Sequence, residues 1–555
     1  VGVGYNALES VTTGDFNTAI GQSSGGEITT ADSNTSVGQE SLRNNTTGHS
    51  NAVVGTTAAY TNVDGTYNVA VGKDALYSNS GGGHCVAIGF NAAYENLAND
   101  VIAIGKQAME ANTTGTRNIA IGTQAYDHSD TENDNMAIGY QAMTVNTAGG
   151  TKNIAIGNYA MDAHTSGDQN TAIGYNAMSA NTSAENNTAV GVDALLTNTD
   201  GSNNTAIGTN ALKITNGGTQ NTAVGHNALA LNTTASENTA VGQEALKANT
   251  TGAQNTAIGS QALKGNTTAS YNTVVGYNAS LVSDTAAQNT IMGYAAAATL
   301  TTGGSNDIFG FEAADQGTTM SACVAIGHRA AKAITSADSN TIVGYNAGLG
   351  ITTGSSNVML GTNAGELGTR LTTGARNVLL GHKPHTSAAD SVDQIVMGFN
   401  AVGAADLSLT FGNASTDSSI AFGETSISAP SDIRLKENIE DSTAGLSFVN
   451  DLRPITYMWK VEQDIPEDLD AHVAGSTQRY NNDNVNHGFI AQEVKEVIDN
   501  HPELKNGFSM WKENDSDGRQ RVAEGAMIPM LVKSIQELSA KIDAQQIEIT
   551  ELKGE

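Results

Sequence analysis

The chain has 555 residues, of which 15% are charged and 5% aromatic, with 61 glycines and six prolines. This composition is poor material for several large apolar cores and suits a stack of turns and short strands. The net charge of -30 repels phosphates, so nucleic acid is excluded as an expected partner.

Two cysteines, Cys85 and Cys323, lie 238 residues apart, which gives neither a disulfide framework nor a CxxC metal site. Each is expected to be a small buried apolar residue. No run of 18 apolar residues occurs, so no membrane insertion is expected. The chain opens at Val1-Gly2-Val3-Gly4, inside a repeat and without Met, which predicts that further chain precedes it.

Residues 1–424 are one repeat array, with the unit N-T-A-[IV]-G-x-x-A-L-x-x-N-T-T-G-x-x. A glycine after an apolar pair marks the phase, at Gly4, Gly21, Gly38 and onward to Gly361, in steps of 17 residues almost throughout. The spacing becomes irregular at Gly381, Gly398 and Gly412. In Asn118-Ile119-Ala120-Ile121-Gly122 the two isoleucines fall on one face and Ala120 on the other, which is strand periodicity. The glycine is expected to turn a corner with unusual dihedrals. A second apolar pair such as Ala211-Leu212 follows, then a polar turn such as Asn249-Thr250-Thr251-Gly252.

Seventeen residues cannot bury a core alone, so the units are expected to stack in register around a thin spine of Ile, Val, Leu and Ala. Asn at each strand start (Asn170, Asn187, Asn204, Asn221) then forms a ladder of amides. About 24 coils at ~4.8 Å give a rod of about 115 Å. The N-x-T triplets at Asn45, Asn112 and Asn232 keep a fixed phase, which reads as turn chemistry rather than glycosylation. The histidines His49, His84, His128, His164, His226 and His328 read as exposed loop residues. No metal is assigned to His382 and His385, which Pro384 separates.

The core N-x-A-I-G-x-x-A, as in Asn204-Thr205-Ala206-Ile207-Gly208-Thr209-Asn210-Ala211, resembles the head repeats of trimeric autotransporter adhesins and the shafts of phage tail fibres. The resemblance implies three chains packing their stacks side by side.

Composition changes near residue 425. Thirteen of the 26 Lys and Arg and both tryptophans, Trp459 and Trp511, fall in the final 125 residues. A small α+β module is expected over 425–530 and a helix over 531–555. In that helix Leu531, Ile535, Leu538, Ile542, Gln545, Ile549 and Leu552 form a heptad seam suited to a trimeric coiled coil. Upstream, Leu452–Lys460 reads as a strand, and His487–Val494 as a strand entering a helix that ends near Asn500.

Four blocks in order carry a second resemblance: Ser431-Asp432-Ile433-Arg434-Leu435-Lys436-Glu437-Asn438-Ile439, Leu452–Lys460, His487–Val494, and Leu531-Val532-Lys533-Ser534-Ile535-Gln536-Glu537-Leu538. Together they resemble the intramolecular chaperone of phage tail spikes and fibres, the S74 peptidase-like autoprocessing module. The resemblance implies that three copies assemble, guide the upstream β-structure and are then cut off. Carried over, Ser431 is the nucleophile, Lys436 the base, and the scissile bond joins Pro430 to Ser431. His487 orients the site or a water. A serine hydroxyl needs such a base, and lysine serves when burial favours its neutral amine.

The expected protein is therefore mostly β, a trimeric parallel β-solenoid followed by a chaperone module. It acts as an enzyme only in a single self-cleavage and needs no cofactor. Its expected partners are two further copies, other virion tail proteins and a host-surface glycan or protein. Assembly in the host cytoplasm and residence in the virion follow from the same resemblance. A bacterial surface adhesin would need a C-terminal membrane barrel. A glycan-degrading tail spike would need Asp/Glu clusters, and an ice-binding solenoid an uninterrupted T-x-T strand.

Overall fold

In the computed structural model the chain divides into two compact units, Val1–Pro430 and Ser431–Glu555. The structure describes all residues except 129, 146–148, 367, 425–432, 468, 470, 505–507, 514–519 and 555.

The first unit is a parallel β-solenoid. Each repeat forms one coil and gives one short strand to a 26-stranded sheet, from β1 (Gly2–Val3) to β25 (Ser408–Gly412). Successive strands pair in register, with Thr205 opposite Thr222, Ala206 opposite Ala223 and Ile207 opposite Val224. The register follows from the constant repeat length, since any slip would turn the alanine outward. At the far end β26 (Ser418–Ala421) folds back antiparallel on β25 and covers the last parallel edge.

The spine holds the expected Ala, Leu, Ile and Val, with Met besides, but many strand isoleucines lie outside it. In the strand Ile119–Ile121 only Ala120 is fully buried, while Ile119 is half-buried and Ile121 exposed. A coil this narrow accepts only the middle side chain of each strand, so the large β-branched residues at its ends face outward. The interior is filled instead from the turn after the glycine, where Leu195, Leu212 and Leu246 are all fully buried.

Strand and turn share a fixed interior volume. Ala189 is matched with Leu195, Ala206 with Leu212 and Ala257 with Leu263, all buried. Further along the order reverses, giving Val274 with Ser280, Ile291 with Ala297 and Ile308 with Ala314. Ile342 is matched with Gly348, where an added Cβ would lie 3.0 Å from the Ile342 Cδ1. Close packing allows at most one large side chain per coil at these two positions, on one side or the other.

The strand-start asparagines are satisfied by the coils beside them. The Asn204 backbone N–H donates to Asn187 Oδ1 at 2.8 Å, and its Nδ2 donates to the Gly218 carbonyl at 2.8 Å. The same pattern joins Asn221 to Asn204 and Asn238 to Asn221. Cys85 and Cys323 occupy this column and are buried, and burial pushes the Cys85 thiol up to about 11. A second ladder runs through the turn asparagines. Asn249 Nδ2 donates to Asn232 Oδ1 and to the Gly252 carbonyl, both at 2.8 Å. Asn45, Asn112 and Asn232 are fully buried in it, as turn chemistry requires.

The coil corners rest on left-handed backbone. Gly225 has φ +135, and a Cβ there would sit 2.5 Å from the Gly242 carbonyl oxygen. Non-glycine residues share this region around each coil, among them Asn203 (φ 61), Asn210 (φ 58) and Leu212 (φ 48).

His84, His128 and His226 are exposed, as expected of loop histidines. His164 is fully buried and corrects that reading, because it fills the turn position that asparagine holds in other coils. Its Nε2 lies 2.8 Å from the Gly167 carbonyl, and its Nδ1 lies 3.2 Å from the Asn181 amide nitrogen. Nε2 therefore donates, Nδ1 accepts, and the ring is neutral. His49 and His328 are half-buried rather than exposed, and His328 stacks in a column with the exposed rings of Tyr277, Tyr294, Phe311 and Tyr345, with centroids 5.0–5.5 Å apart.

In the second unit α1 (Leu446–Asp451) is followed by an antiparallel pair, β27 (Ile455–Tyr457) and β28 (Asn486–Gly488). Then come α2 (Ala491–Asn500), a second pair of β29 (Trp511–Glu513) and β30 (Gln520–Val522), and the long α3 (Ile528–Lys553). Pro529 sits in the first turn of α3, where its missing N–H costs nothing. Phe448, Val494, Ile498, Met510, Met527 and Met530 form one small core beneath these elements.

Two outcomes are expected for the solenoid. Gly225→Ala should add about 1–3 kcal/mol of backbone strain as well as the carbonyl contact. In guanidinium followed by circular dichroism it should lower the unfolding midpoint, whereas Thr209→Ala, at an exposed position, should leave it in place. Burial holds the His164 pKa below its usual value. Its contribution to stability is complete above an unfolded pKa of about 6.5 and is lost as the pH falls towards the depressed folded value. The thermal midpoint should therefore drop further between about pH 7 and pH 5 in the native chain than in His164→Asn.

Candidate functional site

The sequence places the chemistry at the seam between the two units. Pro430 and Ser431 lie outside the described residues, as does Asp432. The described chain resumes in a single turn of 3-10 helix, Ile433–Leu435, and the Lys436 backbone N–H closes it on the Ile433 carbonyl at 3.1 Å. The Lys436 side chain is exposed in the single chain.

His487 lies in the middle of β28, directly opposite Thr456 of β27. Both side chains are exposed and, as cross-strand partners, project from the same face of the ribbon. His487 lines an open cleft of about 460 Å³ together with Pro454, Ile455, Thr456, Gly488, Phe489 and Glu524. Lys436 is not among the residues lining it. Gly488 keeps the ribbon bare where the Glu524 carboxylate approaches, since a Cβ there would meet Oε1 at 3.2 Å. The ribbon thus presents His487 and Thr456 beside Glu524, and of these only His487 was legible from the sequence.

Side-chain clamps hold this ribbon to its surroundings. Arg453, just before β27, donates from Nε to Glu493 Oε2 of α2 at 2.9 Å and from Nη2 to Oε1. The guanidinium beside Glu493 holds that carboxyl below its usual range. Lys495 of α2 lies over the Trp511 ring at 5.2 Å and pairs with Asp499. At the other end of the module the Glu537 carboxylate of α3 accepts the first N–H of α1, at Leu446, at 2.9 Å. Gly445 makes room for it, because a Cβ there would lie 2.6 Å from Glu537 Oε1. This long-range cap replaces the local Ser, Thr or Asp that helix α1 lacks.

His501, at the end of α2, forms a further cluster. Its Nε2 lies 2.9 Å from Asp451 Oδ2 and its Nδ1 2.9 Å from Glu503 Oε1. The Asp451 and Glu503 carboxylates hold its pKa above the usual value. The sequence signal for this cluster was slight: Glu503 is two residues away, but Asp451 is 50.

No helix among the described residues is long and apolar enough to cross a membrane. No curated protein and no solved structure matches the chain. Three of the four sequence blocks singled out above fall within one matched segment, and the fourth opens α3 beyond it. Residues 431–502 match the peptidase S74 family, described as the chaperone of endosialidase, and that match implies autoproteolytic self-cleavage.

Proposed function

We propose that the protein is the shaft of a phage tail fibre or tail spike, assembled by its own C-terminal chaperone and then separated from it. The observation that carries this reading is the junction itself. A long parallel β-solenoid gives way, at the unit boundary after Pro430, to a segment matching a self-cleaving chaperone family that starts at residue 431.

In this reading Ser431 Oγ attacks the Pro430 carbonyl carbon while Lys436, as neutral amine, takes the hydroxyl proton. The amide becomes an ester as the Ser431 nitrogen leaves and is protonated. Water then hydrolyses the ester, leaving a Pro430 carboxylate and a chaperone that begins at Ser431. His487 orients the junction or the water. Lys436 is exposed in the single chain, whereas a lysine base needs apolar burial. Burial supplied by neighbouring copies makes cleavage wait for assembly.

Two surfaces support three copies as the working form. Along the solenoid the outward column of strand ends, including Ile207, Ile258, Met292 and Leu360, is exposed at 41–47%. A second copy with the same coil repeat matches this column residue for residue. On α3 the seam residues Leu531, Ile535, Leu538, Ile542, Ile549 and Leu552 are exposed, as are Ile528, Val532 and Ile547 off the seam, while Met530 and Ser534 are buried. The heptad seam is therefore left open for a coiled coil. The assembled shaft resides in the virion, after assembly in the host cytoplasm, joins other tail proteins and engages a host-surface glycan or protein.

Mass spectrometry of the folded native chain should show a fragment beginning at Ser431. Ser431→Ala should keep the chain whole, and Lys436→Met should slow its cleavage by at least about 100-fold, the scale of general-base catalysis. An intact native chain would refute the cleavage reading. Light scattering should give three chains per particle for Ser431→Ala. In that background Ile535→Asp with Ile542→Asp should abolish or weaken the trimer, and an unchanged particle mass would remove α3 from the interface.

A further inference from the structure

The His501 cluster lies outside the cleavage chemistry and has a geometry of its own. Both ring nitrogens face carboxylate oxygens at 2.9 Å, Asp451 on one side and Glu503 on the other. A carboxylate only accepts, so each nitrogen must carry a proton, and only the imidazolium has both. The ring is nearly buried, and Phe448 packs edge-on against it at 5.4 Å. Asp451 ends α1, and His501 directly follows α2, so the pair ties the ends of the two helices together.

We propose that His501 is a proton-controlled latch that fastens α1, the first α-helix after the junction, to the body of the chaperone module. The other end of α1 is held by Glu537 of α3, a contact that needs no titrating partner near neutrality. Loss of the His501 proton turns one of its two contacts into a lone pair facing a carboxylate. The C-terminal end of α1 is then released while its N-terminal end stays capped.

Among the described residues the charged groups facing His501 are Asp451 from α1 and Glu503 from the turn after α2. Asp499 of α2 is occupied by Lys495. Phe508 stacks edge-on against Phe448, and Met530 of α3 lies in the same core. A histidine held above its unfolded pKa stabilises fully below that value, and the gain is lost as the pH rises through the folded value. The latch is therefore closed below the unfolded pKa of about 6.5 and opens as the pH rises through the raised folded value.

The test uses the full chain carrying Ser431→Ala, so that the two units stay joined. Trp459 and Trp511 are the only tryptophans and both lie in the C-terminal unit, so indole fluorescence follows that unit alone. Urea unfolding at about pH 6 and about pH 9 brackets the latch. In the chain with native His501 the midpoint should be lower at the higher pH. The folding constant should fall about tenfold for each unit by which the folded pKa exceeds the unfolded one. His501→Gln should abolish this difference, and Asp451→Asn, nearly isosteric, should shrink it. No difference in the parent chain, or an equal difference in both variants, would overturn the latch. If His501→Gln does not fold, Asp451→Asn decides alone. The outcome does not depend on whether the native junction is cut.

Discussion

A coil of 17 residues is too small to satisfy its own polar interior, and the solenoid follows from that constraint. Every buried amide needs a partner, and the only groups at the right height belong to the coils above and below. Asparagine meets the need twice per turn because it both donates and accepts. Asn238 accepts the backbone N–H of Asn255 while its own Nδ2 reaches the Gly252 carbonyl. Stability is therefore a property of the stack rather than of any coil, as expected of a one-dimensional array. Where another residue replaces the asparagine, the ladder thins: Thr215 and Ser283 leave buried hydroxyls without partners.

The stack also supports backbone that an isolated segment would avoid. A left-handed leucine such as Leu212 is strained by about 1–2 kcal/mol, yet its side chain is fully buried and fills the coil. The conformation turns a residue from the corner into the interior, which the narrow strand cannot fill alone. The sequence made the coil length, the corner glycine and the strand-start amides legible, because each recurs at a fixed phase. It did not reveal which face of the strand points inward. Ile119 and Ile121 outweigh Ala120 in hydropathy, and only the coil's narrowness reverses the inference. His164 was misread for a similar reason, since a histidine met in a polar turn resembles a solvated one.

The C-terminal unit obeys another rule. Its helices and strands are short, apart from α3, and distant side chains fasten them: Glu537 on α1, Glu493 on Arg453, His501 on Asp451. Such contacts have no period, so the sequence showed the elements but not the clamps between them. His487 was found through a resemblance of blocks. Thr456 and Glu524 beside it were not, because the cleft is assembled from three separate stretches of chain.

The exchange of interior volume between strand and turn gives the solenoid two packing types in runs. From Ala103 and Met109 to Ala257 and Leu263 the bulk comes from the turn, and from Val274 and Ser280 to Ile308 and Ala314 it comes from the strand, while Ala87 with Ala93 and Ala325 with Ala331 are coils with two small side chains. Tandem repeats grow and shrink by unequal recombination, which duplicates or deletes whole units. Within one type, such an event returns the same interior and only changes the length of the shaft. Recombination that joins a strand of the second type to a turn of the first gives a coil with two large side chains. Within a run, length is thus free to drift in quanta of one coil, while near residue 265 the order in which strand meets turn limits what recombination can join.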